Sequence, residues 1–247
     1  MKILKSNSPN FSISRQKNRK IKFIIIHYTG MQSTIESLKR LKNKKSRVSS
    51  HYLISREGSV YQLVEDRKIA WHAGKSKWLN NKNLNRSSIG IELQNRGHRL
   101  GYQSFPNRQI NKLLRLCFLL KKKYKIHINN ILGHSDIAPL RKMDPGENFP
   151  WKKFINKKIL TKLRNNNFRK ITRLNKFDFE DQKKVRKQFF ANLYKIGYRY
   201  FSLKKRNVKN DKKVIKSFQR KYDQQDVNGK ISKKTLIISH LLGSLKS

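Results

Sequence analysis

Two short apolar runs constrain this 247-residue chain more than anything else in it. Residues 21–29 read IKFIIIHYT and residues 88–94 read SIGIELQ. The first is a nearly continuous series of β-branched and aromatic side chains, and the second is a shorter apolar run around Ile89, Ile91 and Leu93. Each therefore predicts a strand buried on both faces. Such strands need helices to cover them, and the surrounding sequence supplies these. Ser33 or Thr34 caps a helix in which Ile35, Leu38 and Leu41 recur at helical spacing. A longer helix over residues 107–124 lines Ile110, Leu113, Leu114, Cys117 and Leu120 along one face. Residues 50–55 and 59–64 read as two strands joined by Arg56-Glu57-Gly58, a hairpin. Residues 130–133 give a last strand before a loop containing Pro139, Pro145 and Pro150, and the first twenty residues read as a polar, frayed start. Strands interleaved with helices predict an α/β fold, a mixed central sheet with flanking helices around one core.

The pattern changes at residues 165–176, a polar and basic stretch without apolar periodicity that reads as a linker. Beyond it lie three helical patterns: residues 178–196 with Val185, Phe189 and Leu193; residues 211–222 with Val214, Ile215 and Phe218; and residues 232–242. Asp178 and Ser232 are candidate N-caps, and Asn228-Gly229 supplies a turn. The expected organisation is an α/β domain over residues 1–164, a linker over 165–176, and a small C-terminal three-helix domain over 177–247. The one cysteine, Cys117, excludes an intramolecular disulfide and any Cys-rich zinc module. Its place on an apolar helix face predicts a small buried core residue.

Charge enters next. Sixty Lys and Arg stand against fourteen Asp and Glu, a formal net charge of +46. That imbalance admits nucleic acid, an anionic membrane or wall polymer, or no specific partner at all, because Lys, Asn and Ile crowd every segment. The aromatic residues of 177–222 fall at helix-core spacing, not as a stacking platform, and no reading motif accompanies the charge, so nucleic acid is not the expected partner. No apolar run reaches the roughly 18 residues of a transmembrane segment. Residues 1–20 lack the continuous apolar stretch of a secretory signal.

The candidate chemistry sits at strand ends, where side chains distant in sequence converge on a cleft. His27 ends one buried strand, His134 ends another, and Asp144 follows ten residues later. Two imidazoles and a carboxylate are a suitable zinc set, leaving a fourth tetrahedral position for water. Taken singly, each histidine reads more readily as a satisfied structural residue than as a ligand. Glu92 lies inside the run Ile89-Gly90-Ile91-Glu92-Leu93, where an ionised carboxylate is costly unless paired. Alternation sets it on the face of Gly90, whose missing side chain would leave open space beside it. Such a site raises a carboxyl pKa and suits a general base that later acts as an acid; the bland alternative is a solvated strand face. Lys142, two residues before Asp144, can place a cation where negative charge develops. Trp71, in AWHAG, either lines the cleft or caps the sheet, while Trp151 is expected to pack. The stretch Asp226-Val227-Asn228-Gly229 lacks the acidic positions and terminal Glu of a calcium loop.

These segments also carry a resemblance. FIIIHYTG, SSHYLISREGSVYQLVEDRKIAWHAG, SSIGIELQN and GHSDIAPLRKMDPGENFPW are similar, in order and spacing, to the successive blocks of zinc-dependent N-acetylmuramoyl-L-alanine amidases of the type 2 family. These share a fold with T7-type lysozyme and peptidoglycan recognition proteins. The resemblance covers roughly residues 20–155. It implies one zinc ion on His27, His134 and Asp144, Glu92 as acid/base residue, and Lys142 as partner of the oxyanion. It implies cleavage of the amide between the lactyl group of muramic acid and L-alanine in peptidoglycan or muropeptides. His51 and His72 fall at positions of structure or substrate contact, with Trp71 as a further substrate contact. The family usually has Gly where Leu140 stands, which bears on substrate fit. IGYRYF and VIKSFQRKYDQQDVNGKISKKTLIISHLL resemble the small helical peptidoglycan-binding domain of wall hydrolases. A monomer is expected. The binding-type domain points to the cell envelope, whereas the missing signal points to the cytoplasm. The rival function is a protein that recognises peptidoglycan without cutting it, which would need a metal ligand or the acid/base residue to be lost; all these positions are filled.

Overall fold

Six strands build the central sheet, in the order β1 (Leu4–Lys5), β5 (Val60–Gln62), β4 (Tyr52–Ile54), β9 (Ser88–Leu93), β3 (Phe23–Tyr28) and β10 (Ile131–Gly133). The computed structural model describes residues 1–15, 19–156 and 179–245 of the chain. Every neighbouring pair in the sheet is parallel except the β4–β5 hairpin. The two apolar runs, β3 and β9, lie side by side at its centre. Two small ribbons, β2 (Phe11–Ser12) with β6 (Ile69–Ala70) and β7 (Lys77–Trp78) with β8 (Asn81–Lys82), complete the strands.

The sheet is covered on both faces. Ile24, Ile26, Ile89 and Ile91, all at zero exposure, join one cluster with Ile110, Leu113 and Cys117 of helix α2 (Asn107–Tyr124). The expected apolar face of α2 is the observed one. Helix α1 (Thr34–Lys42) is capped by Ser33, whose Oγ accepts from the Glu36 backbone N–H. Its inward face matches the expected one at Leu41, which is buried, and at Leu38, which packs beside it, but Ile35 is 66 % exposed and Ser37 is buried instead. The short helices α3 (His134–Ile137) and α4 (Trp151–Asn156) follow β10, with Trp151 packed beside Phe149 and Phe154.

Three helices close the chain: α5 (Gln182–Ile196), α6 (Val208–Tyr222) and α7 (Lys233–Ser244). Asp181, Asn207 and Ser232 cap them through side-chain oxygens that accept backbone N–H groups of the first turn. Asp211, expected at the start of the second helix, instead lies inside it and pairs with Arg186 at 2.7 Å. The expected linker at 165–176 and the candidate cap Asp178 lie outside the described residues. Phe189, Phe218 and Val214 belong to the same apolar cluster as Phe23, Ile25, Leu132 and Trp78, so these helices pack against the α/β portion. Trp78 meets Tyr198 ring to ring at 4.8 Å.

The N-terminal segment is tied down, contrary to the expectation of fraying. β1 pairs in parallel with β5, the Ser6 N–H donates to Gln62, and Ser8 Oγ donates to Leu41. These are backbone and polar-side-chain bonds, which leave no apolar periodicity for a sequence reading to find. Among the described residues, no helix is long and apolar enough to cross a membrane.

Candidate metal centre and catalytic cleft

Parallel strands bring their carboxyl ends to one edge, and ligand sites in such sheets lie beyond that edge. β3 lies between β9 and β10, with His27 opposite Glu92 and Ile26 opposite Gly133. His27 thus emerges beside Glu92 on one side and beside His134, the first residue after β10, on the other. A backbone bond from Ser135 N–H to the Asp144 carbonyl folds the following loop back to the same point. His27 Nδ1 and His134 Nδ1 approach to 2.9 Å, and each lies 3.0 Å from Asp144 Oδ2. All three side chains are buried.

The far sides of the two rings decide which protons they carry. Ser88 Oγ donates to the Leu84 carbonyl at 2.5 Å, so it accepts from His72 Nε2–H at 3.2 Å. His72 Nδ1 is then an acceptor, and His27 Nε2–H donates to it at 3.0 Å. His134 Nε2–H donates to the Ala73 carbonyl at 3.2 Å. With Nε2 protonated on both rings, both Nδ1 lone pairs face Asp144 Oδ2. Three electron-rich atoms at about 3 Å with no proton between them repel one another unless a cation lies among them. The donor set therefore fits a metal ion, and these three residues are the cluster of potential ligands among the described residues. Ring nitrogens held by hydrogen bonds to fixed acceptors are the usual outer support of such ligands.

Charge states agree with that arrangement. Burial pushes the His27 imidazole down to about 4, helped by His134 and opposed by Asp144. Burial alone would raise the Asp144 carboxyl, but the two imidazoles outweigh it and hold it well below the usual range. Glu92 goes the other way. Its carboxyl is pushed up to about 8, by desolvation first and by the Asp144 charge second, with Lys142 opposing. Glu92 Oε2 is shielded from solvent and has no hydrogen-bond partner among the described residues. Lys142, partly buried, stands within electrostatic reach of both Glu92 and His27. The cleft thus holds a fixed carboxylate and a protonatable one side by side.

Residues 17–147 match the family model described as N-acetylmuramoyl-L-alanine amidase. The chain belongs to this amidase family. It is 40 % identical over 144 residues to the N-acetylmuramoyl-L-alanine amidase AmiD of Escherichia coli, covering 53 % of this chain and 51 % of that protein. It is 40 % identical over 110 residues to the 1,6-anhydro-N-acetylmuramyl-L-alanine amidase AmpD of Haemophilus influenzae, covering 44 % of this chain and 58 % of the relative. These matches span about half the length of each relative. In structure, it superposes on E. coli AmiD in complex with the substrate anhydro-N-acetylmuramic acid-L-Ala-D-gamma-Glu-L-Lys with a TM-score of 0.79, at 30 % identity, over 93 % of this chain and 91 % of the other. AmpDh3 of Pseudomonas aeruginosa shares the fold, with a TM-score of 0.78 at 24 % identity over 96 % of both chains.

Of the two histidines expected in a structural or substrate-contact role, His51 is internal: it has zero exposure, Nδ1 accepts the Gly90 N–H at 3.0 Å, and Nε2 faces the Lys68 carbonyl at 3.1 Å. His72 is likewise internal, 8 % exposed, with both ring nitrogens engaged as above. Gly90 leaves no open space beside Glu92, because the His72 ring fills it; a Cβ on Gly90 would stand 2.4 Å from the ring. Trp71 is half-buried, its Nε1–H donating to Ser12 Oγ at 2.8 Å. Two residues outside the expected site set tie neighbouring segments together. Arg19 is buried and donates to the carbonyls of Asp66 and Lys68 beside His51. His98 bridges Tyr28, at 2.9 Å, and Glu147, at 3.1 Å. Their only signal was a basic or polar residue with no apolar pattern around it, indistinguishable from a surface position in so basic a chain.

Proposed function

We propose that this protein is a zinc-dependent N-acetylmuramoyl-L-alanine amidase that cleaves the amide between the lactyl group of N-acetylmuramic acid and L-alanine in peptidoglycan fragments. The observation that carries the reading is the register that sets Glu92 beside His27 while His134 and Asp144 close on the same point. His27 and His134 would hold the zinc through Nδ1 and Asp144 through Oδ2. When bound, zinc supplies Lewis acidity toward the scissile carbonyl and a water acidified toward neutrality. Glu92 accepts a proton as the carbonyl carbon is attacked and returns it to the departing L-alanine nitrogen. A carboxyl poised near 8 can hold that proton between the two steps, which an ordinary glutamate near 4.5 does poorly. The Lys142 ammonium faces the negative charge that builds on the carbonyl oxygen. His72 keeps His27 in the tautomer that this arrangement requires.

In the same reading, residues 1–164 are the catalytic portion, and the helices of residues 177–247 form a peptidoglycan-binding-like unit. The fragment bound in the AmiD complex supplies the probe. Purified protein incubated with anhydro-N-acetylmuramic acid-L-Ala-D-γ-Glu-L-Lys is expected to release a peptide with a free L-alanine amino terminus. Chelator is expected to stop the release, and added zinc to restore it. A zinc-loaded protein that binds the fragment and releases nothing would favour recognition without cleavage.

A further inference from the structure

The C-terminal helices grip the loop that carries the candidate metal ligands. Asp136, 1 % exposed, lies two residues after His134 in α3. Its Oδ2 accepts the Gly133 N–H at 2.8 Å, closing the turn that presents His134. Its remaining partners come from the other end of the chain. Tyr198 donates its hydroxyl to Oδ1 at 2.5 Å, and Lys221 Nζ stands 3.3 Å from Oδ2 while donating to the Ile131 carbonyl at 2.9 Å. Helix α6 and the residues just after it add three further bonds to the same loop. Ser217 Oγ donates to the Ser135 carbonyl, Lys213 Nζ to that of Leu140, and Gln224, just past the helix, to that of Phe149.

We infer that Lys221 and Tyr198 are positioning residues of the metal centre, so that the C-terminal helices complete the His134–Asp144 loop rather than only anchoring the protein to a wall. A buried carboxylate is tolerated when its charge is paired and its oxygens are hydrogen-bonded. Here the compensating cation and one of the two donors are supplied by residues some sixty to eighty-five positions away in sequence. Without them Asp136 draws in water, and the turn it closes loosens. Metal sites need their ligands held within about half an ångström, so a loosened turn at His134 weakens the site directly. The Leu140 position fits the same picture. Its carbonyl receives Lys213, and its side chain packs against the cluster shared by the sheet and the C-terminal helices. The inference rests on the metal reading given above.

The test uses the full-length protein, stripped of metal and titrated with zinc against a chromophoric chelator, with the visible spectrum of the cobalt-substituted protein as a second readout. Lys221→Met is expected to weaken zinc binding about tenfold and to alter the cobalt bands while circular dichroism stays that of the wild type. Tyr198→Phe, a milder change that keeps the ring in place, is expected to act in the same direction to a smaller extent. Asn192→Ala breaks a bond wholly within the C-terminal helices, to Ser239 at 3.0 Å, and is expected to leave zinc affinity unchanged. If Lys221→Met does not fold, Tyr198→Phe carries the test. Wild-type affinity and cobalt spectrum in the folded variant would overturn the inference, as would an equal loss in Asn192→Ala. A wild-type protein that binds no zinc would overturn the metal reading itself, and this inference with it.

Discussion

The two faces of strands β3 and β9 are built from alternate residues of the same two short runs, yet they differ in kind. On the α2 side, Ile24, Ile26, Ile89 and Ile91 are fully buried in one apolar cluster. On the other, Phe23 and Ile25 lead to His27, and Ser88 and Gly90 lead to Glu92, with His72 laid across Gly90. One face is consistent with what local chemistry prefers; the other buries imidazoles, a bare glycine and a carboxyl oxygen without a partner. Such local conflict is costly, and it collects where a site is being made. The comparison teaches that the strands separate stability from function by side, not by position along the chain.

That separation can be broken from either side, and the largest effect is expected on the polar one. Glu92→Gln keeps the shape of the side chain and removes its ability to carry a proton. It is expected to lower turnover by about 10²- to 10⁴-fold while zinc stoichiometry stays that of the wild type. Turnover within a few-fold of wild type would remove Glu92 from the mechanism. On the apolar face, Ile24→Ala deletes buried methyl and methylene groups with no polar neighbour. It should cost about 2–5 kcal/mol of unfolding free energy, read by urea denaturation. Zinc affinity measured under conditions where the variant remains folded should be unchanged. Coupled loss of both would mean that the two faces are not separable.

The sequence announced the apolar face far better than the polar one. Helix α2 has the predicted bounds and the predicted buried stripe, because five apolar side chains at helical spacing leave little choice. His27, His134 and Glu92 were visible as polar groups at or inside buried strands, which is an energetic anomaly that a sequence displays, whereas Asp144, in a loop, was marked mainly by its place in the family-like block. The support for those groups was hidden. His72 and His51 read as either structural residues or substrate contacts, since nothing local says that one ring fills the space above Gly90 and the other receives its N–H. Arg19 and Tyr198 were hidden for the same reason: their partners, backbone carbonyls and Asp136, lie tens of residues away and leave no periodic trace. Long-range polar pairing is specified by the finished fold, whereas apolar periodicity is specified residue by residue.

His72 tests whether that hidden support matters. His72→Phe preserves bulk over Gly90 but removes the acceptor for His27 Nε2–H. Zinc affinity is expected to fall about 10- to 100-fold, as when the outer partner of a metal-ligating imidazole is lost. Unchanged affinity in competition with a chromophoric chelator would show that packing alone orients His27.

The smallest expected effect is also the one that sets the two faces most directly against each other. A Glu92 carboxyl pushed up to about 8 in the folded protein, from an ordinary value near 4.5, keeps a proton that the unfolded chain releases. Between these values the folded state binds more protons than the unfolded state, so stability falls as pH rises and levels off above about 8. The groups facing Glu92 work in opposite directions, Asp144 favouring the neutral form and Lys142 the charged one. His27, held below its ordinary value, contributes the reverse slope at lower pH, so the Glu92 share must be taken as a difference between wild type and Glu92→Gln. In metal-free protein, wild type relative to Glu92→Gln is expected to lose stability progressively between pH 5 and pH 8, read from urea midpoints. Ile24→Ala, changed on the face that carries no carboxyl or imidazole in its cluster, should shift the whole curve down without altering its slope. Parallel curves for wild type and Glu92→Gln would mean that Glu92 is ionised as in water, and the proton-holding role assigned to it would fall.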